Sequence, residues 1–356
     1  MGFLLIATMT WRAYFGVYPI PTNKVEACMV EPTSEAHADE LYVECSVSTN
    51  NSAYDLSVMQ YSNLLERISA KTGIRKVTVS FGSCGYDGMP SLDLPLSTFA
   101  NMTNLFELNI SGPEAWSKCR LRISSFAEIA HLPIAELQVR NVVPLEASSL
   151  SLMRRLNSVS TNEKDLVPHI PNGINELRLS DVSMGDCCDL SRFRELENLL
   201  LFDIKSRQVR GIGGMDKLGF LHLEGDFHVP REDILALTRL TYVHLKGRSW
   251  AYLFDGGNPF CHMPIDTMEL DVVPISRLEG MEKCPLKFLR VADAPIKSLS
   301  DISESATLEW LVVWGTGIVK ADREALSKRY PALKRFEYTD EIEGSEIVEL
   351  APREAK

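Results

Sequence analysis

Two histidines 22 residues apart, His222 and His244, with Glu269 a further 25 residues on, are the residues of this chain whose types best fit bond-making chemistry. Two imidazoles and a carboxylate are a ligand set for catalytic zinc, which keeps one position open for water. They converge only if each interval returns the chain to a neighbouring strand, about 4.8 Å away. Arg178 and Arg290 fall in the same column, and no residue is placed to orient the imidazoles, so adjacency meets only the first requirement of a metal site. The favoured reading is a solvated or partner-contacting pair, and a metal-dependent enzyme stays as an alternative. Cys187, Cys188 and Asp189 offer a thiol, with Arg192 and Arg194 near but no histidine, so Cys188 is read as a replacement for an apolar residue. Gly211, Gly213 and Gly214 lack the spacing and the Lys-Ser/Thr of a phosphate loop and are read as a tight turn. No catalytic residue, metal ligand or cofactor is assigned.

What positions these residues is a spacing repeated down the chain. Leu-x-x-Leu-x-Leu, with conservative replacements, fits Leu105/Leu108/Ile110, Ile134/Leu137/Val139, Ile174/Leu177/Leu179, Leu196/Leu199/Leu201, Leu218/Leu221/Leu223 and Leu240/Val243/Leu245. It continues through Ile265/Met268/Leu270, Leu286/Leu289/Val291, Leu308/Leu311/Val313 and Leu333/Phe336/Tyr338. Weaker copies stand at Ile74/Val77/Val79 and at Met153/Leu156, where Ser158 breaks the third position. Ile174, Leu196, Leu218 and Leu240 are each 22 residues apart. This pattern resembles the leucine-rich repeat family over about residues 74–339. The resemblance implies an α/β solenoid, a horseshoe with a parallel sheet on its concave face and irregular turns or short helices outside. Each repeat is too small to bury its apolar edge alone, so stability comes from stacked neighbours.

The chain departs from the family where many members carry a ladder of asparagines. Val142, Val182, Ile204, Asp226, Ala294 and Thr316 stand there instead. Two returns, Arg231 to Thr238 and Lys320 to Tyr330, have helical spacing. Residues 1–73 are expected to cap the first repeat, 74–339 to form the solenoid, and 340–356 to be an acidic tail. The cap includes an apolar start, Phe3 to Trp11, and a helix-like run from Asp55 to Ala70.

Side chains that alternate with the strand leucines face out of the sheet. In the N-terminal half these are polar: Lys76, Thr78, Ser80, Glu107, Asn109, Ser111, Glu136, Gln138, Arg140, Arg155, Asn157, Glu176, Arg178 and Ser180. From Leu200 onward they become Phe202, Phe220, His222, Tyr242, His244, Phe288, Arg290, Trp310, Val312 and Trp314. Aromatic residues and arginine dominate binding energy at interfaces, and a contiguous apolar patch marks a partner site. Phe202, Phe220, His222, Tyr242, His244, Phe288, Arg290, Trp310 and Trp314 are therefore the expected partner-binding residues. The competing expectation is that Ile347, Val348 and Leu350 of the tail roof Trp310 or Trp314.

Charge narrows the partner. The net charge of −11 is concentrated in the first 55 residues and from 340 onward, which leaves the body near neutral and disfavours nucleic acid. Phe3 to Trp11 is too short to span a bilayer and lacks preceding basic residues, so no membrane partner is expected. The eight cysteines are scattered without clusters at the array ends, which points to a reducing, cytoplasmic setting. The expected function is a non-catalytic protein-binding module, a stand-alone inhibitor, immunity or adaptor protein. A secreted or surface-attached recognition protein is the alternative.

Overall fold

In the computed structural model the described residues are 28–32, 39–45, 65–81, 92–113, 120–185, 187–318, 323–340 and 344–350. Among them, fifteen strands form one sheet in chain order, from Cys28–Pro32 to Gly344–Glu349. Its parallel body runs through Glu40–Cys45, Lys76–Phe81, Glu107–Ser111, Glu136–Arg140, Ser158–Thr161, Glu176–Ser180 and Asn198–Phe202. It continues with Phe220–Glu224, Tyr242–Lys246, Thr267–Asp271, Phe288–Ala292, Trp310–Trp314 and Arg335–Asp340. The residues one register apart are the repeat leucines: Leu177 opposes Leu199, Leu199 opposes Leu221, and Leu221 opposes Val243. All are fully buried, and the five-residue strands alternate half-exposed and buried positions. Each such side chain contributes roughly 1.5–3 kcal/mol, but only because a neighbouring repeat covers it.

The returns are narrow. Most carry a single 3-10 segment, such as Phe126–Glu128 or Met281–Lys283, that sends an apolar residue inward. Short parallel strands flank some of them: Leu92–Leu94, Leu121–Ile123 and Val142–Pro144 form one set, and Cys187–Asp189 with Gln208–Arg210 another. The two returns with helical spacing contain α-helices, Arg231–Leu235 and Arg323–Arg329.

A left-handed corner follows eight of the sheet strands. Asn141, Asp181, Asp203, Val272 and Asp293 have φ between 48° and 60°, and Gly225, Gly247 and Gly315 are also left-handed. At six of them the corner N–H continues the parallel ladder one residue further, as where Asp203 N donates to Glu224 O at 2.8 Å and Gly247 N to Asp271 O at 3.0 Å, while Asn141 N donates to Asn162 Oδ1 at 2.9 Å. The next residue then turns inward, so Val142, Val182, Ile204 and Ala294 are buried where a hydrogen-bonding side chain was absent. Asparagine, aspartate and glycine tolerate this conformation; a β-branched residue does not.

Three sequence expectations change. The weak repeat is Leu156/Val159/Thr161, three residues later than Met153/Leu156/Ser158, because Thr161 is buried in the leucine column with its Oγ1 accepting from Glu163 N at 3.0 Å. Ser158 and Ser160 are thus the outward residues, and Arg155 and Asn157 precede the strand. Second, Leu41 and Val43 of the segment assigned to the cap are buried in a parallel sheet strand, which Cys28–Pro32 closes antiparallel. Residues 65–69 are helical, while Phe3 to Trp11 and residues 55–64 lie outside the described residues. Third, the described residues of the tail continue the sheet as an edge strand. Gly344–Glu349 pairs antiparallel beside Arg335–Asp340, and Val348 and Leu350 cover the end of the core while Ile347 is 52% exposed.

Cys261 and Cys284 of successive returns form a disulfide with Cα atoms 4.3 Å apart, a pairing that the scatter of cysteines did not reveal. Cys188 is a buried core residue.

The corners make a stability prediction. Val272 is the one β-branched residue at a left-handed corner with φ 60°, so Val272→Asn should stabilise by about 1 kcal/mol. Gly247→Val should cost more than about 2 kcal/mol, because φ is 132° and a Cβ would stand 2.9 Å from Gly225 O. Urea midpoints at unchanged slope read both, and a Val272→Asn midpoint at or below wild type would remove strain from the account.

Candidate functional site

The outward face from Glu176–Ser180 to Arg335–Asp340 is built by register. Parallel pairing sets the first outward position of successive strands in a row, Phe220, Tyr242, Thr267, Phe288 and Trp310. The third position makes the row Arg178, Leu200, His222, His244, Glu269, Arg290 and Val312. The fifth makes Phe202, Glu224, Lys246, Asp271, Ala292 and Trp314. Strand spacing puts these side chains in direct contact, since rows advance by about 4.8 Å.

All nine residues predicted from the sequence lie on this face, and all are half-buried. Phe220 stacks on Tyr242 with ring centroids 4.2 Å apart and planes 4° from parallel. Phe202 packs on His222 at 4.6 Å, and His222 on His244 at 4.2 Å. Phe288 meets Trp310 edge-on at 4.9 Å. Guanidinium groups close the ends of these stacks: Arg178 lies 4.6 Å from the Phe202 ring, Arg290 4.9 Å from Trp314, and Arg335 4.6 Å from Trp310. Between them Val312, an outward residue, is only 2% exposed. Self-coverage is therefore real, but neighbouring side chains provide it.

The polar residues form one network under the rings. The Tyr242 hydroxyl donates to Glu269 Oε1 at 2.7 Å, and Arg290 Nη1 donates to Glu269 Oε2 at 3.1 Å. Arg290 also stands 3.3 Å from Asp271 Oδ2, which His244 Nε2 meets at 3.1 Å. Lys246 donates to Glu224 at 2.7 Å. Burial alone would push Asp271 up, but the His244 hydrogen bond and the Arg290 charge hold it below the usual carboxylate range. Burial and the hydrogen bond to the Glu269 carboxylate keep the Tyr242 phenol protonated. Glu269 thus serves Tyr242 and Arg290. His222, His244 and Glu269 share a row, and among the described residues no cluster suited to a metal occurs.

His222 is strongly perturbed by its burial among these side chains. Burial, then His244, Arg178 and Lys246, depress its pKa to about 3, with Asp271 opposing. Glu224 Oε2 is 3.5 Å from its Nε2, yet with the ring neutral no ion pair forms, and Lys246 takes that carboxylate.

Asp271, Glu224, Lys246 and Arg335 were missed. The signal was present: Glu224 and Lys246 lie at the fifth position of strands whose first and third positions were already assigned, and Asp271 lies two residues after Glu269. The glycines near the Gln208–Arg210 strand do make a turn. Gly211 is left-handed with φ 84°, and its N–H donates to Asp233 Oδ2 at 2.7 Å, so a carboxylate of the next repeat occupies the position considered for phosphate.

One parallel strand per repeat, buried leucines in constant register and returns on the opposite side define the class: a leucine-rich repeat solenoid. A similar solved structure is an internalin, InlF, from Listeria monocytogenes strain 4b F2365, at 14% identity and a TM-score of 0.44 over 78% of this chain and 74% of that one. At that identity and score the likeness says nothing of sites or partners. No protein-family model matches this chain, and no curated protein does.

The depressed His222 pKa predicts a pH dependence. Below the ordinary value of 6.5 the unfolded chain takes up a proton that the folded ring refuses until about pH 3, so this group's contribution is present above 6.5 and lost as pH falls. The loss approaches about 1.4 kcal/mol per pH unit. His222→Gln, which cannot charge, should flatten the stability profile between about pH 6.5 and 4.5, above the range of ordinary carboxylates. Identical slopes for the two proteins in urea melts would show that the folded ring does accept a proton.

Proposed function

We propose that the chain is a non-catalytic protein-binding module whose partner seats on the outward sheet face between Asn198–Phe202 and Trp310–Trp314. The observation that carries this reading is the continuous ring and guanidinium network on that face. The solenoid needs only its inward leucines, so outward Phe, Tyr, Trp and His are free of any duty to the fold. Half-buried rings fixed by stacking lose little conformational freedom when a partner dries them, which is how aromatic anchors concentrate binding energy. A partner presenting an apolar surface with a few polar groups fits, and strongly anionic nucleic acid does not.

The finer part of the proposal is an inhibitor, immunity or adaptor role in the cytoplasm, in which the face covers the partner without altering it. A second reading, a secreted or surface-attached recognition protein, is favoured by the Cys261–Cys284 disulfide, because such bonds persist in oxidising compartments. Thiol titration of the protein taken from its native host separates the two: a retained disulfide supports the second, and two free thiols the first.

The central test compares wild type with Phe220→Ala/Tyr242→Ala in affinity capture from a native-host lysate, after circular dichroism has established that both fold. Removing the stacked pair should weaken retention of a specific protein at least about 100-fold, the scale of two hot-spot truncations. Equal retention by both proteins would move the interface off this face.

A further inference from the structure

Among the described residues of the outward face, cations are matched to carboxylates with two exceptions. Lys76 meets Glu107 at 3.1 Å, Lys246 meets Glu224 at 2.7 Å, Arg290 meets Glu269 at 3.1 Å and Arg335 meets Glu337 at 2.5 Å. Arg140 and Arg178 have no carboxylate in salt-bridge range among the described residues. They stand on either side of the short strand Ser158–Thr161, which separates Glu136–Arg140 from Glu176–Ser180. Arg140 leans back from the fifth position so that its Nη2 donates to Ser160 Oγ at 3.2 Å, and Ser160 is the register partner of Arg178. One guanidinium group is thus bonded to a small side chain whose register partner on the next strand carries the other. The Nε of each is buried without a hydrogen-bond partner, as are those of the carboxylate-paired Arg290 and Arg335. Burial first, then Arg178, lowers the Arg140 pKa, the opposite of what an adjacent carboxylate would do.

The surroundings are small and polar. Ser158, Ser160 and Ser180 occupy outward positions beside the two arginines, and the Arg178 guanidinium lies over the Phe202 ring. Glu136 and Glu176 share the first outward row, and Glu176 lies two residues along its strand from Arg178, about 7 Å away, while Glu136 is four residues from Arg140. The Glu136 carboxyl is pushed up by burial and by Glu107 and Glu176, so this neighbouring row also lacks its full complement of counter-charge.

We propose that Arg140, Ser160 and Arg178 form a receptor for a carboxylate side chain of the protein partner, with a basic partner side chain seated on Glu136 and Glu176 beside it. The inference rests on the proposed sheet-face interface and extends it toward the N-terminal half. Guanidinium groups suit this task because their planar donors match carboxylate geometry and their charge is permanent. In the free protein the pair is mutually repulsive and partly dehydrated; a carboxylate between them supplies the missing acceptors.

The test needs no cellular partner. The arginine side-chain Nε–H resonances of the full chain are followed by nuclear magnetic resonance during titration with the capped tripeptide acetyl-Lys-Ala-Glu-amide and with its Gln counterpart. The Glu peptide should shift the Arg140 and Arg178 signals, and the Gln peptide should bind at least about ten-fold more weakly. Arg178→Gln, or Arg140→Gln if the first variant does not fold, should abolish the response of the remaining arginine and raise the melting temperature, since an uncompensated charge has gone. Equal responses to both peptides, no response to either, or a lowered melting temperature in both variants would overturn the receptor. Because the peptides do not require Phe220 or Tyr242, failure here leaves the aromatic interface standing, and failure of the capture experiment leaves this titration readable.

Discussion

No strand of this protein can bury its own inward side chains. Leu177, Leu199 and Leu221 are sealed only because each lies between copies of itself one register away. Lateral stacking is therefore the constraint on which everything else depends, and it divides the residues into two populations. Inward positions are held to apolar types along the whole array. Outward positions are released from the fold, except that they must tolerate neighbours about 4.8 Å to either side. The same constraint governs the ends, where antiparallel strands at Cys28–Pro32 and Gly344–Glu349 flank the parallel body and Val348 and Leu350 cover apolar surface.

Crowding on the outward face explains how a site with no enclosing cavity can still perturb its groups. A ring on one strand meets a ring on the next at 4.2–4.9 Å, so the rows dry one another without a roof. His222 loses the stability of its charged form between Phe202 and His244, and Val312 is sealed among its neighbours. In such a setting an unmatched charge is costly, which is why Glu269 and Asp271 both turn to Arg290 and Glu224 turns to Lys246.

The inward population was legible because leucine spacing is a direct record of burial. It failed at Ser158–Thr161, where a threonine replaces the last apolar residue and hydrogen-bonds locally, so that the pattern matched better three residues too early. It failed again at Leu41/Val43, where one short alternation without a following regular repeat carries little information. The outward aromatics could be placed from register alone, but their partners could not. Which carboxylate Arg290 takes depends on how Tyr242 and His244 have already claimed Glu269 and Asp271, a competition in three dimensions that spacing does not encode. The Cys261–Cys284 pairing was equally hidden, since it joins two returns whose paths are irregular.

The corners link these two populations. A left-handed residue after most of the central strands lets the hydrogen-bond ladder run one step beyond the strand before the chain turns inward, as at Asp181, Asp203 and Asp293. With the ladder carried by backbone, the side chain after the corner is free to be apolar, and Val182, Ile204 and Ala294 add to the core. The register that the leucines establish is thereby kept rigid up to the last outward position of each strand. Phe202, Asp271 and Trp314 occupy that last position, so the precision of their contacts with His222, His244 and Arg290 depends on corner geometry as much as on the core. A corner that relaxed would disturb the outward face before it disturbed the fold, because it displaces the fifth position while leaving the buried second and fourth in place.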